Sequence, residues 1–163
     1  LTYQQFVSQK GIGPVAACRI LAAFELTQRL LLDQDEEAII IKKPEDAFRL
    51  LKEIGDFKKE HFIGLYLNAR HHLIHRETIS IGSLEASIVR PSEVFEPAIK
   101  NHASVVIVAH NHPSGETEPS PEDLKINENL VRAGKILGIE IIDHLIITKK
   151  DYFSFKKKGM IDG

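Results

Sequence analysis

The sequence has almost no cysteine, no apolar stretch of membrane length and no excess of positive charge. Cys18 is its single cysteine, so no disulfide can form within the chain and a reducing compartment is expected. No apolar run approaches the roughly 20 residues that span a bilayer, and no signal peptide is visible. The net charge of −2 gives no overall field that attracts nucleic acid. These absences predict a cytoplasmic protein without a membrane contact, and they specify no oligomeric state.

What is present favours one ordinary globular domain with a small helical piece in front of it. Of the 163 residues, 43% are hydrophobic and 27% are charged, a composition typical of folded domains. Residues 1–35 predict two helices, at 2–10 and 14–32, on either side of the turn formed by 11–13 (GIG). Since the chain begins with Leu1 and not with Met, we expect this helical segment to be truncated.

The remainder predicts an α/β domain over residues 42–163, after an acidic linker at 33–38. Patterns typical of strands and helices follow one another there, and Gly55 is expected to stop the first helix. The predicted helices are 44–54, 91–102 and 121–137, and the predicted strands are 61–68, 73–81, 86–89, 104–109, 139–148 and 152–155. Cys18, in an apolar helical stretch, is predicted to be a core residue.

Two histidines follow the apolar run 104–109, in the stretch 109–125 (AHNHPSGETEPSPEDLK). Residues two apart in an extended segment point to the same side, so His110 and His112 can reach one point in space, as metal ligands do. An isolated His-x-His is nevertheless more often a pair of turn or surface histidines. At this step both interpretations stay open.

Ser120 and Asp123 also have two interpretations. Ser120 followed by Pro121 and an acid at 123 is typical of a helix start, with Ser as the N-cap and the acid completing a capping box. Taken alone, this pattern favours capping over function. The two roles are compatible, because an acid held in the first turn of a helix is rigid, as a metal ligand must be.

Together these residues form the pattern H-x-H-x7-S-x2-D, which is similar to the metal signature of the JAMM/MPN metallopeptidases. The longer string HNHPSGxxxPSxxD resembles the RadC family within that group. The resemblance continues through 60–68, 82–95, 138–147 and 152–155, and residues 1–33 resemble the helix-hairpin-helix-like part of RadC proteins. The chain departs from the family at Glu116–Glu118 and at Ser92, but the loop keeps its length, so we expect the ligand geometry to survive.

The resemblance implies a JAMM/MPN-type sandwich, related to the cytidine-deaminase fold, in which helices flank a curved mixed sheet. It implies that His110, His112 and Asp123 hold one Zn²⁺ per chain. Two imidazoles and one carboxylate leave the fourth position of the ion open, as in catalytic zinc sites. By the same resemblance Glu60 is the general base and Ser120 donates a hydrogen bond to the oxyanion. Without the resemblance, Glu60 is interpreted as a surface acid paired with the neighbouring Lys58 or Lys59.

The expected function is therefore that of a zinc-dependent hydrolase acting on an amide, peptide or isopeptide bond of a protein or peptide. One alternative is a metal-dependent nuclease or DNA-repair accessory, with Gly11 and Gly13 presenting backbone N–H groups to a DNA phosphate. A plain helical hairpin explains that turn at least as well. Another alternative is a non-catalytic MPN-type binding module. A zinc deaminase is excluded, because its Cys-x-x-Cys pattern needs more than one cysteine.

Two further polar residues lie beside the candidate site in the sequence. His144, within the predicted strand 139–148, is interpreted as a satisfied, half-buried histidine in preference to a residue that orients the metal ligands. Asn111, held between the two histidines, is expected to shape the loop that follows them.

Overall fold

A computed structural model describes residues 2–32, 39–82 and 89–161, and of residues 28–32 it describes the backbone alone. The chain divides into two compact units, Leu1–Ala38 and Ile39–Gly163. The predicted linker 33–38 lies outside the described residues. So does the predicted strand 86–89 apart from Val89, which is buried but belongs to no strand.

The first unit contains two helices, α1 (Tyr3–Val7) and α2 (Pro14–Leu32). Thr2 caps α1 by accepting a hydrogen bond from the backbone N–H of Gln5. The prediction that Cys18 is a core residue is wrong, because Cys18 is exposed whereas its neighbour Ala17 is buried. Successive helical positions point about 100° apart, so the face that buries Ala17 turns the cysteine to solvent.

The described residues of the second unit form a five-stranded sheet and three α-helices. The strands are β1 (His61–Leu67), β2 (Leu73–Ile81), β3 (Val105–Asn111), β4 (Glu140–Ile147) and β5 (Tyr152–Ser154), in the order β2-β1-β3-β4-β5. The helices are α3 (Pro44–Leu51), continued by a 3-10 turn (Lys52–Asp56), α4 (Pro91–Lys100) and α5 (Pro121–Leu137). Only β3 and β4 pair in parallel; the other pairs are antiparallel. The predicted α/β fold with a mixed sheet and flanking helices is confirmed.

Both faces of the central strands β1 and β3 are buried, and these strands supply residues to two cores. Along β3, Val106 and Val108 contact the core beneath α4 and α5, whereas Val105 and Ile107 contact the core beneath α3. Burying one such side chain stabilises the fold by about 1.5–3 kcal/mol. Because side chains alternate along a strand, the position after Ala109 returns to the α4–α5 face. That position is His110.

The prediction that Gly55 terminates α3 is wrong, because α3 already ends at Leu51. Gly55 lies inside the 3-10 turn that follows α3. A Cβ atom at this position would stand 2.6 Å from the backbone carbon and oxygen of Thr148. Glycine is therefore required by the close approach of this turn to the end of β4.

The carboxyl ends of β3 and β4 and the amino end of β1 meet at one edge of the sheet. His110 pairs with Phe62 on one side and with Ile146 on the other. Beyond the strand, the backbone N–H of His112 donates to the carbonyl of Ile147 at 3.1 Å, so the chain stays attached to the sheet. The helix α5 begins after the loop that follows.

Candidate metal centre

The strand β3 and its extension bring His110 and His112 to one point. Their Nε2 atoms lie 3.0 Å apart. His110 is fully buried, whereas the side chain of His112 is 13% exposed. The extended backbone explains the convergence, since side chains two residues apart share a side. The approach from solvent therefore passes over His112.

The loop after β3 fixes the orientation of the His112 ring. The Nδ1 atom lies 2.9 Å from the backbone carbonyl oxygen of Glu116. A carbonyl only accepts, so Nδ1 carries the proton, and Nε2 is left with its lone pair. The turn closes through a hydrogen bond from the Gly115 N–H to the His112 carbonyl, with Gly115 at φ +86°. Because residue 116 contributes its backbone, its departure from the family sequence leaves this contact intact.

The first turn of α5 supplies Asp123, and Ser120 holds it in place. Ser120 is the N-cap, accepting from the Asp123 N–H at 3.2 Å, while Asp123 Oδ2 accepts from the Ser120 N–H at 2.8 Å. The predicted capping box is confirmed. The Ser120 hydroxyl also donates to Asp123 Oδ2 at 2.7 Å. One carboxylate oxygen is thereby committed to Ser120, and the other faces the histidines.

The other oxygen, Asp123 Oδ1, is buried and has no hydrogen-bond partner among the described residues, although His110 Nε2 lies 3.1 Å away. Asp123 Oδ2 lies 3.4 Å from His112 Nε2. One ligand atom from each of the three residues lies within 4.8 Å of the others. Lone pairs this close repel one another unless a proton or a cation lies between them. Two imidazole nitrogens and one carboxylate oxygen therefore fit a divalent metal ion, and the group could hold one.

The charges in this group shift the pKa values of His112 and Asp123 in the directions expected of side chains that attract a cation. Hydrogen bonding to Asp123 raises the pKa of His112, despite the opposing effect of burial. Burial alone would raise the pKa of Asp123, but the imidazoles of His110 and His112 outweigh it and hold that pKa well below its usual range. The carboxylate therefore stays ionised, and a proton on His112 is the competitor of a metal ion.

The preferred interpretation of His144 as a half-buried, satisfied histidine is wrong. His144 is fully buried, and its Nε2 lies 3.0 Å from Nδ1 of His110. Its other nitrogen, Nδ1, has no hydrogen-bond partner among the described residues. Spacing could not reveal this contact, because it arises from the parallel pairing of β4 with β3. The available signal was the polar pair Asp143–His144 inside an otherwise apolar strand.

Asn111 connects β3 to the segment that carries Glu60. Its side-chain oxygen accepts from the His61 N–H at 2.7 Å, and its amide nitrogen donates to the carbonyls of Lys59, at 3.1 Å, and Phe57, at 3.3 Å. Asn111 thus holds the chain on both sides of Glu60, a role beyond the loop shaping expected of it. The negative charge of Glu60 contributes to the raised pKa of His112, so Glu60 acts electrostatically on one of the candidate metal ligands.

The remaining predicted site residues, Gly11 and Gly13, belong to the Leu1–Ala38 unit. Gly11 adopts φ +90° in the turn between α1 and α2, a conformation that favours glycine. The carbonyl of Gly13 accepts from the N–H of Ala17 at 3.0 Å.

Within the described parts of the chain, no helix combines the length and apolarity that crossing a bilayer requires.

Comparison with known proteins relates the chain to one family. The family model described as RadC-like JAB domain matches residues 41–160, which include the three candidate ligands. A UPF0758 protein of Geobacillus thermodenitrificans (strain NG80-2) is 46% identical over 98% of this chain and 71% of its own length. A UPF0758 protein of Bacillus cereus (strain AH187) is 44% identical over 98% of this chain and 72% of its own length.

Proposed function

Because the chain belongs to the family of RadC-like JAB domains, we propose that it is a zinc-dependent hydrolase of an amide, peptide or isopeptide bond. Its substrate is a protein or peptide, and it acts in the cytoplasm with one Zn²⁺ per chain. The observation that carries this proposal is the convergence of His110 Nε2, His112 Nε2 and the unpartnered Asp123 Oδ1. A structural zinc site uses four protein ligands, whereas three leave a position for reacting groups.

When bound, a divalent ion supplies Lewis acidity, which lowers the pKa of a water molecule and polarises the scissile carbonyl. Glu60 is the proposed general base. Its carboxylate takes the proton as the water oxygen attacks the carbonyl carbon. It then gives that proton to the leaving nitrogen as the C–N bond breaks. Asn111 keeps this segment against β3 through contacts to the residues on either side of Glu60.

Ser120 is the proposed donor to the oxyanion that forms on the carbonyl oxygen. In the structure its hydroxyl donates to Asp123 Oδ2 at 2.7 Å. Donation to the oxyanion therefore requires the hydroxyl to rotate away from the carboxylate. Asp123 Oδ2 keeps the Ser120 backbone N–H as a donor at 2.8 Å, so the ligand remains held during this rotation.

The first test is the metal content of protein purified without chelators, measured by mass spectrometry beside His112→Ala. We expect roughly one zinc per chain in the wild type and little in the variant.

The second test compares the wild type with Glu60→Gln on a panel of fluorogenic peptide and isopeptide substrates. Glu60→Gln should keep its zinc and lose turnover by about 10²–10⁴-fold. Glu128→Gln, on the exposed face of α5, is the control and should retain activity.

Each result decides between the proposals. A wild-type protein without metal would contradict the zinc hydrolase. Zinc without turnover on any substrate would favour a non-catalytic binding module of the MPN type. Equal turnover in Glu60→Gln and in the wild type would remove Glu60 from its role as base while leaving the metal site intact.

We also propose DNA as a second partner, contacted through the turn that contains Gly11 and Gly13. The left-handed conformation of Gly11 shapes this turn ahead of α2. A Cβ atom at Gly13 would meet no heavy atom within 4 Å, so Gly13→Ala tests the backbone approach of a phosphate without a clash in the protein. We expect salt-dependent binding to duplex DNA that weakens in Gly13→Ala. No binding at low salt would exclude the DNA contact.

A further inference from the structure

We propose that His144 is a positioning residue that accepts a hydrogen bond from His110 and thereby keeps the metal-binding nitrogen of His110 free. The inference rests on the metal site of the proposed function and concerns the side chain beneath it. It assigns a role to a buried polar group that neither contacts the substrate nor binds the ion.

The fold places His144 beside His110 and fixes the plane of its ring. In the parallel pair of β3 and β4, His144 is in register with Val108. Val108 lies two residues before His110 on β3, so the side chains of His144 and His110 point to the same side of the sheet. The ring of His144 stacks on Phe155, with centroids 4.6 Å apart and planes 10° apart, and meets the edge of Phe62. These contacts aim Nε2 at His110 Nδ1, 3.0 Å away.

Counting protons gives each nitrogen of this pair one role. A neutral imidazole carries one proton and one lone pair on its two nitrogens. If Nε2 of His110 binds a metal, it must present its lone pair there, so the proton of His110 is on Nδ1. That proton points at His144 Nε2, which must accept it. The proton of His144 is then on its own Nδ1.

The opposite arrangement would block the metal site. If His144 carried its proton on Nε2, it would donate to His110 Nδ1. His110 would then carry its own proton on Nε2, directed at Asp123 Oδ1, 3.1 Å away. That proton would occupy the position of the ion. The tautomers of His110 and His144 therefore decide whether Nε2 of His110 is available to a metal ion.

The unpartnered nitrogen of His144 is the second observation in favour of this role. Its Nδ1 is buried and has no hydrogen-bond partner in the described part of the chain. Buried polar atoms without a partner are rare, because they lose their hydrogen bonds to water. A residue that served packing alone would be better replaced by phenylalanine. His112, by contrast, directs its Nδ1 at a carbonyl, which has no alternative to accepting.

The direct test is nuclear magnetic resonance of the imidazole nitrogens in ¹⁵N-histidine-labelled protein, loaded with zinc and then chelated. Long-range ¹H–¹⁵N correlations report which nitrogen of each ring carries the proton. With zinc we expect His144 to be protonated at Nδ1 and to accept at Nε2, with His110 protonated at Nδ1. A His144 protonated at Nε2 in the zinc-loaded protein would overturn the proposal.

Two variants at the same position separate hydrogen bonding from packing. His144→Phe keeps an aromatic ring against Phe155 but has no acceptor, whereas His144→Gln keeps an acceptor near the position of Nε2. By competition with a chromophoric chelator, we expect the zinc dissociation constant to rise about 10–100-fold in His144→Phe. His144→Gln should recover most of that loss.

The outcomes for this proposal and for the proposed function differ. A wild-type chain that binds no zinc defeats the proposed function. A wild type and a folded His144→Phe that bind zinc equally well defeat the positioning role alone. Thermal unfolding in chelator shows whether the variant is folded. If it does not fold, the nitrogen resonances of the zinc-loaded wild type decide the question by themselves.

Discussion

Among the described residues of the Ile39–Gly163 unit, two clusters of three titratable side chains can be compared, one exposed and one buried. The exposed cluster joins Glu45 in α3 to Tyr152 in β5 and to Lys157 in the turn that follows. The buried cluster is the group of His110, His112 and Asp123. Both connect distant parts of the chain, and both contain residues with shifted pKa values, so the pKa alone does not separate them.

In the exposed cluster each of the three polar groups has hydrogen-bond partners of the complementary kind. Lys157 Nζ donates to the carboxylate of Glu45 and to the hydroxyl of Tyr152, and that hydroxyl donates to Glu45 at 2.8 Å. The hydrogen bond with Lys157 is the main cause that lowers the pKa of Glu45 to about 2. Tyr152 also stacks on Phe48. Opposite charges and complementary hydrogen bonds leave nothing for an added ligand to satisfy.

In the buried cluster the Nε2 atoms of His110 and His112 face the carboxylate of Asp123, whose Oδ1 has no hydrogen-bond partner among the described residues. The donors of His112 and Ser120 point away from the centre or into the carboxylate, so lone pairs converge around Asp123 Oδ1. Such an arrangement is unfavourable without a cation, because buried polar atoms need partners. The comparison teaches that an unsatisfied convergence of like atoms, more than a shifted pKa, indicates a binding site.

The largest expected difference between the clusters is in metal binding. Asp123→Asn keeps the shape of the ligand but removes its charge, and we expect zinc to fall from roughly one per chain to near none. Glu45→Gln, the matched carboxylate in the exposed cluster, should keep its zinc. Metal content by mass spectrometry checks both. Zinc retained in Asp123→Asn, or lost in Glu45→Gln, would break the distinction.

Thermal unfolding with and without a chelator gives the same comparison in stability. A ligand at 100 times its dissociation constant stabilises a protein by about 2.7 kcal/mol. A chelator should therefore lower the unfolding temperature of the wild type and of Glu45→Gln and leave that of Asp123→Asn unchanged. A chelator effect of equal size in all three proteins would mean that the ion binds elsewhere.

Next in size is the effect of releasing the segment around Glu60. Asn111→Ala leaves the buried N–H of His61 and the carbonyls that Asn111 contacts without their partner, which should cost roughly 2–3 kcal/mol of unfolding free energy. Hydrogen exchange should accelerate at the His61 amide. Asn101→Ala is the control, because Asn101 donates to one carbonyl at a helix end. Unchanged exchange at His61 would show that Asn111 does not hold the segment.

A smaller effect is expected at the N-cap of α5. Ser120→Ala removes a cap worth about 1 kcal/mol and one of the two donors to Asp123 Oδ2, so zinc affinity should fall by about tenfold or more. Ser114→Ala is the control, since its hydroxyl accepts from the Glu116 N–H at the weak distance of 3.4 Å. Chemical denaturation and zinc competition measure the two effects. If Ser120→Ala binds zinc as the wild type does, the cap and the metal site are energetically independent.

The parts of the site that local rules govern could be predicted from the sequence. Alternation along a strand predicts that His110 and His112 share a side, and the Ser-Pro-Glu-Asp order predicts the cap that the structure shows at Ser120. The alternation of apolar runs of strand length with amphipathic helices likewise predicts an α/β domain, whereas the mixed sheet is expected only from the family resemblance.

What sequence reasoning missed depends on pairing between distant segments. His144 reaches His110 across a parallel strand pair, and Asn111 reaches the residues around Glu60 across an antiparallel one. Gly55 is needed because of Thr148, far away in the chain. Cys18 was misjudged because an apolar helical stretch does not reveal which of its faces is covered.

The smallest expected effect is the pH dependence that the exposed cluster adds to stability. The pKa of Glu45 in the folded protein, about 2, lies below the ordinary glutamate value of 4.5, so its contribution is present above pH 4.5 and is lost as the pH falls through 2. The difference in unfolding free energy between the wild type and Glu45→Gln should therefore be constant near neutral pH and should shrink in acid. Contact with solvent and screening by salt keep this effect small. Chemical denaturation at a series of pH values measures it, and Ser114→Ala serves as a variant whose difference from the wild type should not follow this curve. A difference that stays constant down to pH 2 would mean that the charge of Glu45 does not contribute to the stability of the exposed cluster.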